Sequence, residues 1–362
     1  MTDSPFPELK KTATIARHGR PFDDPKPPPS APVWAVIQGF ASYWTLMAAI
    51  ELGVFDALRE ARDRTPADVA RRLTDPAGIS PAALTPVLDS LVAMGFVDQT
   101  GGRYSLTTVA ERYLCTDGPA SMAALVGVAP GPHENWTRLA ATVRAGTSGS
   151  PIERDPVAFY GPLVTATFPT QLRVAGRLSV ALGWARRPAL RVLDLGAGRA
   201  PWALSVLQHS PGSTAVVNDI AGIVELAAAT LADHGVADRV ELRAGDFHTI
   251  PIEPESYDVV VLGHVCRTEG DDGARRLVER AAAAVSPGGQ VVVADYFAGD
   301  DHKRNGFGVL MGLTMLASTE RGGTVTHGQM YRWLRNAGLV AIRLLEPIAN
   351  NQVFVANRGA RS

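Results

Sequence analysis

Residues 191–201 read Arg191-Val192-Leu193-Asp194-Leu195-Gly196-Ala197-Gly198-Arg199-Ala200-Pro201, and this stretch decides the fold. A short apolar run ends in an acid, a tight glycine turn follows, and Pro201 suits the first position of a helix. Strand, turn and helix in that order build a ligand site at the carboxyl end of a parallel strand, where glycine lets the backbone approach closely. The dinucleotide fingerprint is not met, because Pro201 stands where its third glycine belongs. A phosphate cradle is therefore a weak reading.

Two further strands end the same way. Val216-Val217-Asn218-Asp219 closes on an acid placed to take a ribose diol, and Val240 to Ala244 runs into Gly245-Asp246-Phe247, an acid followed by an aromatic ring. From there strands are expected near 257–262, 290–296, 340–346 and 351–357, with Pro287-Gly288-Gly289 as the tight turn into the fifth. Helices are expected near 201–209, 222–234, 271–285 and 326–337. Such alternation predicts an α/β domain with a mostly parallel seven-stranded sheet covered on both faces.

The composition sets bounds. The 362 residues suffice for two domains, and 46% hydrophobic with 20% charged residues fits a globular enzyme. A net charge of -1 gives no reason to expect nucleic acid or an acidic membrane as partner. Cys115 and Cys266 are far apart, so neither a disulfide framework nor a zinc site is expected. No other metal is expected. With no signal-like apolar region at the start and no evident membrane span, the expected location is cytoplasmic.

Residues 1–30, rich in proline, are expected to form a flexible tail. A domain over 31–118 follows. Val33, Trp34, Val36, Ile37, Phe40, Tyr43, Trp44, Met47 and Ile50 form a helical stripe too wide for a helix with one face in solvent. Thr65-Pro66-Ala67-Asp68 caps a helix, Thr85-Pro86 is read as opening the next, and Gly101-Gly102 turns a hairpin. This winged-helix outline raises the alternative of a ligand-sensing regulator. Against it, the second helix reads Val-Leu-Asp-Ser-Leu-Val-Ala-Met, without a basic side chain for phosphates or bases. A helical linker over 119–188 carries Trp136, Phe159, Tyr160 and Phe168, which as a group suit a pocket for a flat organic molecule. Arg173 in the same segment is suited to pair with a carboxylate.

The ordered acids Asp194, Asp219 and Asp246, with the Pro-Gly-Gly turn and the winged-helix outline, resemble the two-domain small-molecule O-methyltransferases. These are class I S-adenosylmethionine-dependent enzymes with a winged-helix dimerisation domain and a Rossmann-like catalytic domain, here 189–362. The resemblance covers roughly residues 31–357. It implies S-adenosyl-L-methionine as cofactor and S-adenosyl-L-homocysteine as product. It implies that Gly196 and Gly198 pass under the amino-acid portion, Asp219 holds the ribose hydroxyls, and Asp246 with Phe247 borders the adenine. Asp194, Ile220, Gly263, His264, Tyr160 and Arg173 complete the implied cofactor site. Homodimers are usual in the family, which accounts for the apolar stripe. One departure is Ala200, where a further glycine is common.

A second departure concerns catalysis. The family places a histidine base after the fourth strand, and the corresponding run here is Leu262-Gly263-His264-Val265-Cys266-Arg267-Thr268-Glu269. Arg267 falls in the base slot and His264 in an asparagine slot. A guanidinium cannot accept a proton near neutral pH, although it can stabilise an oxyanion. Either His264 serves from a shifted position, or the acceptor needs no base. The alternative is a non-methylating reaction, such as ring closure or hydroxylation. Glu320 is the acid that would orient a base. Phe307, Met311 and Met315 join Trp136, Phe159 and Phe168 as acceptor-pocket residues. The expected function is methyl transfer to a small aromatic or polycyclic natural product, oxygen favoured.

Overall fold

Gly101 and Gly102, with φ of +57° and +76°, turn β1 (Val97–Thr100) into β2 (Arg103–Leu106). In this computed structural model, which describes residues 30–360 apart from 60–62, 119, 130, 302–305 and 349, that hairpin is the wing of the N-terminal domain. The expected tail lies outside the described residues, Ser30 excepted. The helix Pro66–Ala70 carries a full capping box between Thr65 and Asp68. The following helix begins earlier than expected, at Pro81, and runs to Ala93 with Pro86 inside it. Proline at the first position is free of any lost hydrogen bond. Burial of Leu84, Leu88 and Leu91 holds the helix together across the second proline.

The helix Ala31–Glu51 buries only Ala49 in this chain. Trp34 is 57% and Phe40 72% exposed, too much apolar surface for a face left in water. By length and composition, with mean hydropathy 1.4, this helix is long and apolar enough to cross a membrane. That corrects the expectation that no such run exists. Halfway along it, the Tyr43 hydroxyl meets His133 Nε2 at 2.8 Å and Val126 O at 3.1 Å, tying the helix to the middle segment.

The large sheet comprises β3 (Arg191–Leu195), β4 (Thr214–Asp219), β5 (Val240–Ala244), β6 (Tyr257–Gly263), β7 (Val285–Asp295), β8 (Leu339–Leu344) and β9 (Gln352–Arg358). Their order is β5-β4-β3-β6-β7-β9-β8; the first five are parallel, and β9 and β8 close the edge antiparallel. Side chains alternate between two cores. Leu193, Leu195, Val260 and Leu262 pack with Leu277, Ala281, Met330 and Leu334 of the helices Gly270–Ala284 and His327–Asn336. Val192, Val217, Val259 and Val261 pack oppositely, with Val174, Leu178, Leu204 and Leu231 of the helices Pro156–Ala181, Pro201–His209 and Ala221–Asp233. The long helix Pro156–Ala181, within the segment read as a helical linker, packs against this sheet. Each fully buried leucine or valine stabilises the fold by about 1.5–3 kcal/mol.

Pro287-Gly288-Gly289 is not a turn ahead of the fifth strand. β7 already pairs at Val285 with Tyr257, and the register shifts before Gln290 pairs with Val259. The three residues therefore make an irregularity inside the strand. Gly288 has φ +79°, and a Cβ on Gly289 would lie 2.8 Å from Asp258 O.

Candidate active site

The parallel strands end on one edge, and their last residues are tied to one another by side chains from the same strand ends. Asp219 Oδ2 accepts the Gly198 N–H and Oδ1 the Ile220 N–H, each at 2.8 Å, so β4 holds the glycine turn after β3. Asn218 Nδ2 donates to Arg243 O and Gly245 O, fixing the end of β5. Arg280 in turn donates to Phe247 O and Ile250 O, holding the loop that carries Asp246 and Phe247. Asp246 is exposed, and its Oδ1 accepts the His248 N–H.

Gly196 and Gly198 lie in the left-handed region, at φ +65° and +58°. A Cβ on Gly196 would come 2.4 Å from Val265 Cγ1 and 3.5 Å from the Phe247 ring, and one on Gly198 would sit 3.0 Å from Val164 Cγ1. The turn is a cradle with no room for side chains on its floor. Ala200 shares the left-handed conformation at φ +57°, which explains why glycine is common at this slot.

Asp194 is sealed under the cradle. Its Oδ2 accepts the Ala203 N–H at 3.0 Å and so caps the helix Pro201–His209 in place of Ala200, which has no side chain to do it. Its Oδ1 is buried without a partner. Burial pushes the Asp194 carboxyl up to about 7, against the Ala203 hydrogen bond and with the Asp219 charge adding to the rise.

The turn after β6 holds the second half of the site. A left-handed backbone at His264 (φ +64°), with its N–H bonded to Ala294 O, turns the imidazole inward. Its Nε2 meets Gln171 Oε1 at 3.0 Å, and its Nδ1 faces Asp295 Oδ1 at 3.7 Å. The ring lies against Tyr296, tilted 46° to it with centroids 4.7 Å apart. Burial lowers the imidazole from its ordinary value, the Asp295 carboxylate only partly offsetting this. Arg267 Nη1 pairs with Asp295 Oδ1 at 2.6 Å and also donates to His264 O, and its guanidinium lies over Tyr296. Burial alone would raise the Asp295 carboxyl, but the Arg267 charge and His264 outweigh it and hold it well below the usual carboxylate range. Burial pushes the Tyr160 hydroxyl above its ordinary value, against the opposing pull of Arg267.

Two family models match this chain: an O-methyltransferase dimerisation domain over residues 34–116 and an O-methyltransferase domain over residues 185–339. The chain belongs to the two-domain O-methyltransferase family. It is 29% identical to a 3-hydroxy-5-methyl-1-naphthoate 3-O-methyltransferase of Streptomyces sahachiroi, over 85% of this chain and 90% of that one. It is 28% identical to the tetracenomycin polyketide synthesis 8-O-methyltransferase of Streptomyces glaucescens, over 82% and 88%. Human N-acetylserotonin methyltransferase, solved in complex with S-adenosylmethionine, superposes with a TM-score of 0.77 at 25% identity, covering 93% and 99%. An O-methyltransferase family protein of Burkholderia thailandensis shares the fold at 22% identity, TM-score 0.78, covering 93% and 100%. The protein is thus a methyltransferase with S-adenosylmethionine as cofactor, and the side-chain-free cradle with the unpartnered Asp194 Oδ1 suits that group. The helix Pro81–Ala93, which carries no basic side chain, lies within the matched dimerisation domain.

Several expected site residues of this methyltransferase stand elsewhere. Glu320 is exposed, and its backbone N–H bonds to Glu153 Oε1; Asp295 is the acid that faces His264 and Arg267. The reason is register: Asp295 ends a strand aimed at the site, whereas Glu320 follows the helix Gly306–Ser318 on the surface. Arg173 is exposed on its helix, and the buried Gln171 is the residue of that helix that reaches His264. Phe168 packs against the core beneath Arg199 and beside His234. Phe159 stacks edge-on to Tyr160, and Phe307 edge-on to Tyr296. Met311 is half-buried, as is Trp136, while Met315 is buried. Gln171, Trp202, Asn218 and Tyr296 went unread in the sequence. Tyr296 follows an acid at a strand's end, as Phe247 does, and the same rule could have found it. Gln171 interrupts the buried face formed by Ala166, Val174, Ala175 and Leu178, a polar break that marks it.

Proposed function

We infer that this enzyme O-methylates a small, flat, hydroxylated acceptor of polyketide type, acting in the cytoplasm as a homodimer paired through the helix Ala31–Glu51. The observation that carries the cofactor side is the Asp219 carboxylate, which grips the Gly198 and Ile220 amides at the strand ends and keeps free lone pairs for the ribose hydroxyls. Gly196, Gly198, Ile220, Asp246, Phe247, Gly263 and Tyr160 complete this side, and Asp194 supports it from below. The acceptor side runs from Phe159 and Tyr160 across Tyr296 to Phe307, Met311 and Met315, with Trp136 at its margin. The arginine that suggested a non-methylating reaction is accounted for by its ion pair with Asp295.

When bound, the cofactor supplies an electrophilic methyl group. The chain's own part is placement: holding the acceptor oxygen in line is worth up to several powers of ten in rate. Calorimetry with S-adenosylmethionine and S-adenosylhomocysteine on wild type and Asp219→Ala tests the cofactor assignment. Micromolar binding lost in Asp219→Ala is expected, and equal binding by both proteins would refute the assigned role. A panel of hydroxynaphthalenes and hydroxyanthraquinones then tests the acceptor class by transfer of labelled methyl.

A further inference from the structure

Resting on that function, we propose that the site, among its described residues, contains no general base and takes hydroxyl acceptors that lose their proton to water before they bind: vinylogous acids and phenols conjugated to a carbonyl. The geometry closes each route for a proton in turn. The Arg267 guanidinium has no lone pair to offer. Asp295 is 1% exposed and is engaged by Arg267 Nη1, the Arg267 N–H and the Tyr296 N–H. His264 Nε2 is occupied by the Gln171 amide at 3.0 Å. Its other nitrogen is turned to Asp295 and is buried without a hydrogen bond.

The other titratable groups among the described residues near them are no better placed. Burial raises the hydroxyls of Tyr160 and Tyr296 and the thiol of Cys266, so all three stay protonated. Glu269 accepts from Thr268 Oγ1 and pairs with His248 Nε2, while Glu153 accepts the Glu320 N–H. His248 Nδ1 is buried and has no partner, which makes His248 the residue the test must exclude.

An acceptor that arrives as an oxyanion needs none of these. Its oxygen lone pair forms the new C–O bond as the C–S bond of the cofactor breaks, the electron pair staying on sulfur. The proton has already gone to bulk water. Arg267 and the protonated Tyr160 supply positive potential and a hydrogen-bond donor beside that oxygen, which favours the ionised acceptor over its neutral form.

Two acceptors of one skeleton and different acidity, 2-hydroxy-1,4-naphthoquinone and 2-naphthol, provide the kinetic test. Between about pH 6 and pH 9, kcat/KM for the acidic quinone should stay flat, while that for the naphthol should climb about tenfold per pH unit toward its own ionisation. A single midpoint shared by both acceptors would overturn the proposal, and its loss in His248→Gln would assign the base to that residue. Nitrogen-15 NMR of the histidines in the S-adenosylhomocysteine-bound dimer decides independently of turnover. His264 should remain neutral throughout that range, and titration there would refute the proposal. If neither acceptor is methylated although the cofactor binds, the acceptor class proposed above is wrong, and the NMR result alone judges the base.

Discussion

Gly263 lies edge-on to the indole of Trp202: a Cβ on Gly263 would stand 2.4 Å from Trp202 Nε1 and 2.8 Å from its Cδ1. Trp202 is 3% exposed and cannot yield. Glycine is needed here by contact alone, since Gly263 is absent from the positive-φ residues. Gly263→Ala should lower the unfolding free energy by about 1–3 kcal/mol, as overpacked cores do. It should also weaken S-adenosylhomocysteine binding, because the end of β6 must shift. Urea titration and calorimetry measure the two effects, and unchanged values in both would show that the indole moves freely.

Asp295 and Glu320 invite a direct contrast. Asp295→Asn leaves the Arg267 guanidinium buried beside a neutral group, and removing one partner of such a pair costs about 3–5 kcal/mol. Glu320→Gln, at an exposed position, should stay within about 0.5 kcal/mol of wild type. Denaturant midpoints compared at one pH check both.

The Asp194 carboxyl has a raised value in the fold, so the folded protein binds its proton more tightly than the unfolded chain. For an acid this sign means that stability contributed by the neutral form is present below the unfolded value near 4 and declines as pH rises to about 7. The melting temperature of wild type relative to Asp194→Asn should therefore fall across that window and level off above it. A difference that stays constant with pH would show that Asp194 does not carry the effect.

Ala200 sits in a conformation that costs a side-chain-bearing residue about 1–2 kcal/mol. Its methyl group, fully buried, returns about 0.8 kcal/mol of that. Ala200→Gly should stabilise the protein by roughly 0.5 kcal/mol, the difference between those terms, read as a higher urea midpoint. Destabilisation instead would mean that packing outweighs the backbone.

The proposed dimer is placed on the exposed face of Ala31–Glu51. Replacing Trp34 or Phe40 by Glu removes a large apolar contact worth about 2 kcal/mol, roughly a thirtyfold rise in dimer Kd, before the added charge is counted. Sedimentation of the double variant should show monomers at concentrations where wild type is paired. Persistence of the dimer would move the interface elsewhere.

The sheet was legible in the sequence because each strand is an apolar run closed by a turn, and each closing acid falls where a parallel strand ends. Asp219 could be read this way from local order alone. Asp295, which closes a strand, could be placed at the mouth of the site in the same way, but only the third dimension shows that it, not Glu320, faces His264 and Arg267. The start of the helix Pro81–Ala93 was missed because Pro86 has the same local signature as a helix-opening proline. Gln171 and His264 are 93 positions apart and meet only through packing of a helix on a strand end. Nor did spacing reveal that the base slot holds an ion pair rather than a lone arginine.

Tyr43 reaches from the helix Ala31–Glu51 to His133, and His133 opens the short helix that carries Trp136. If the proposed dimer face and acceptor pocket hold, the Tyr43–His133 contact links quaternary structure to substrate choice. A change selected for tighter subunit pairing would be felt one helical turn away, at the margin of the acceptor site. Lineages that remodel the subunit contact would then drift in acceptor preference without altering a residue of the site itself.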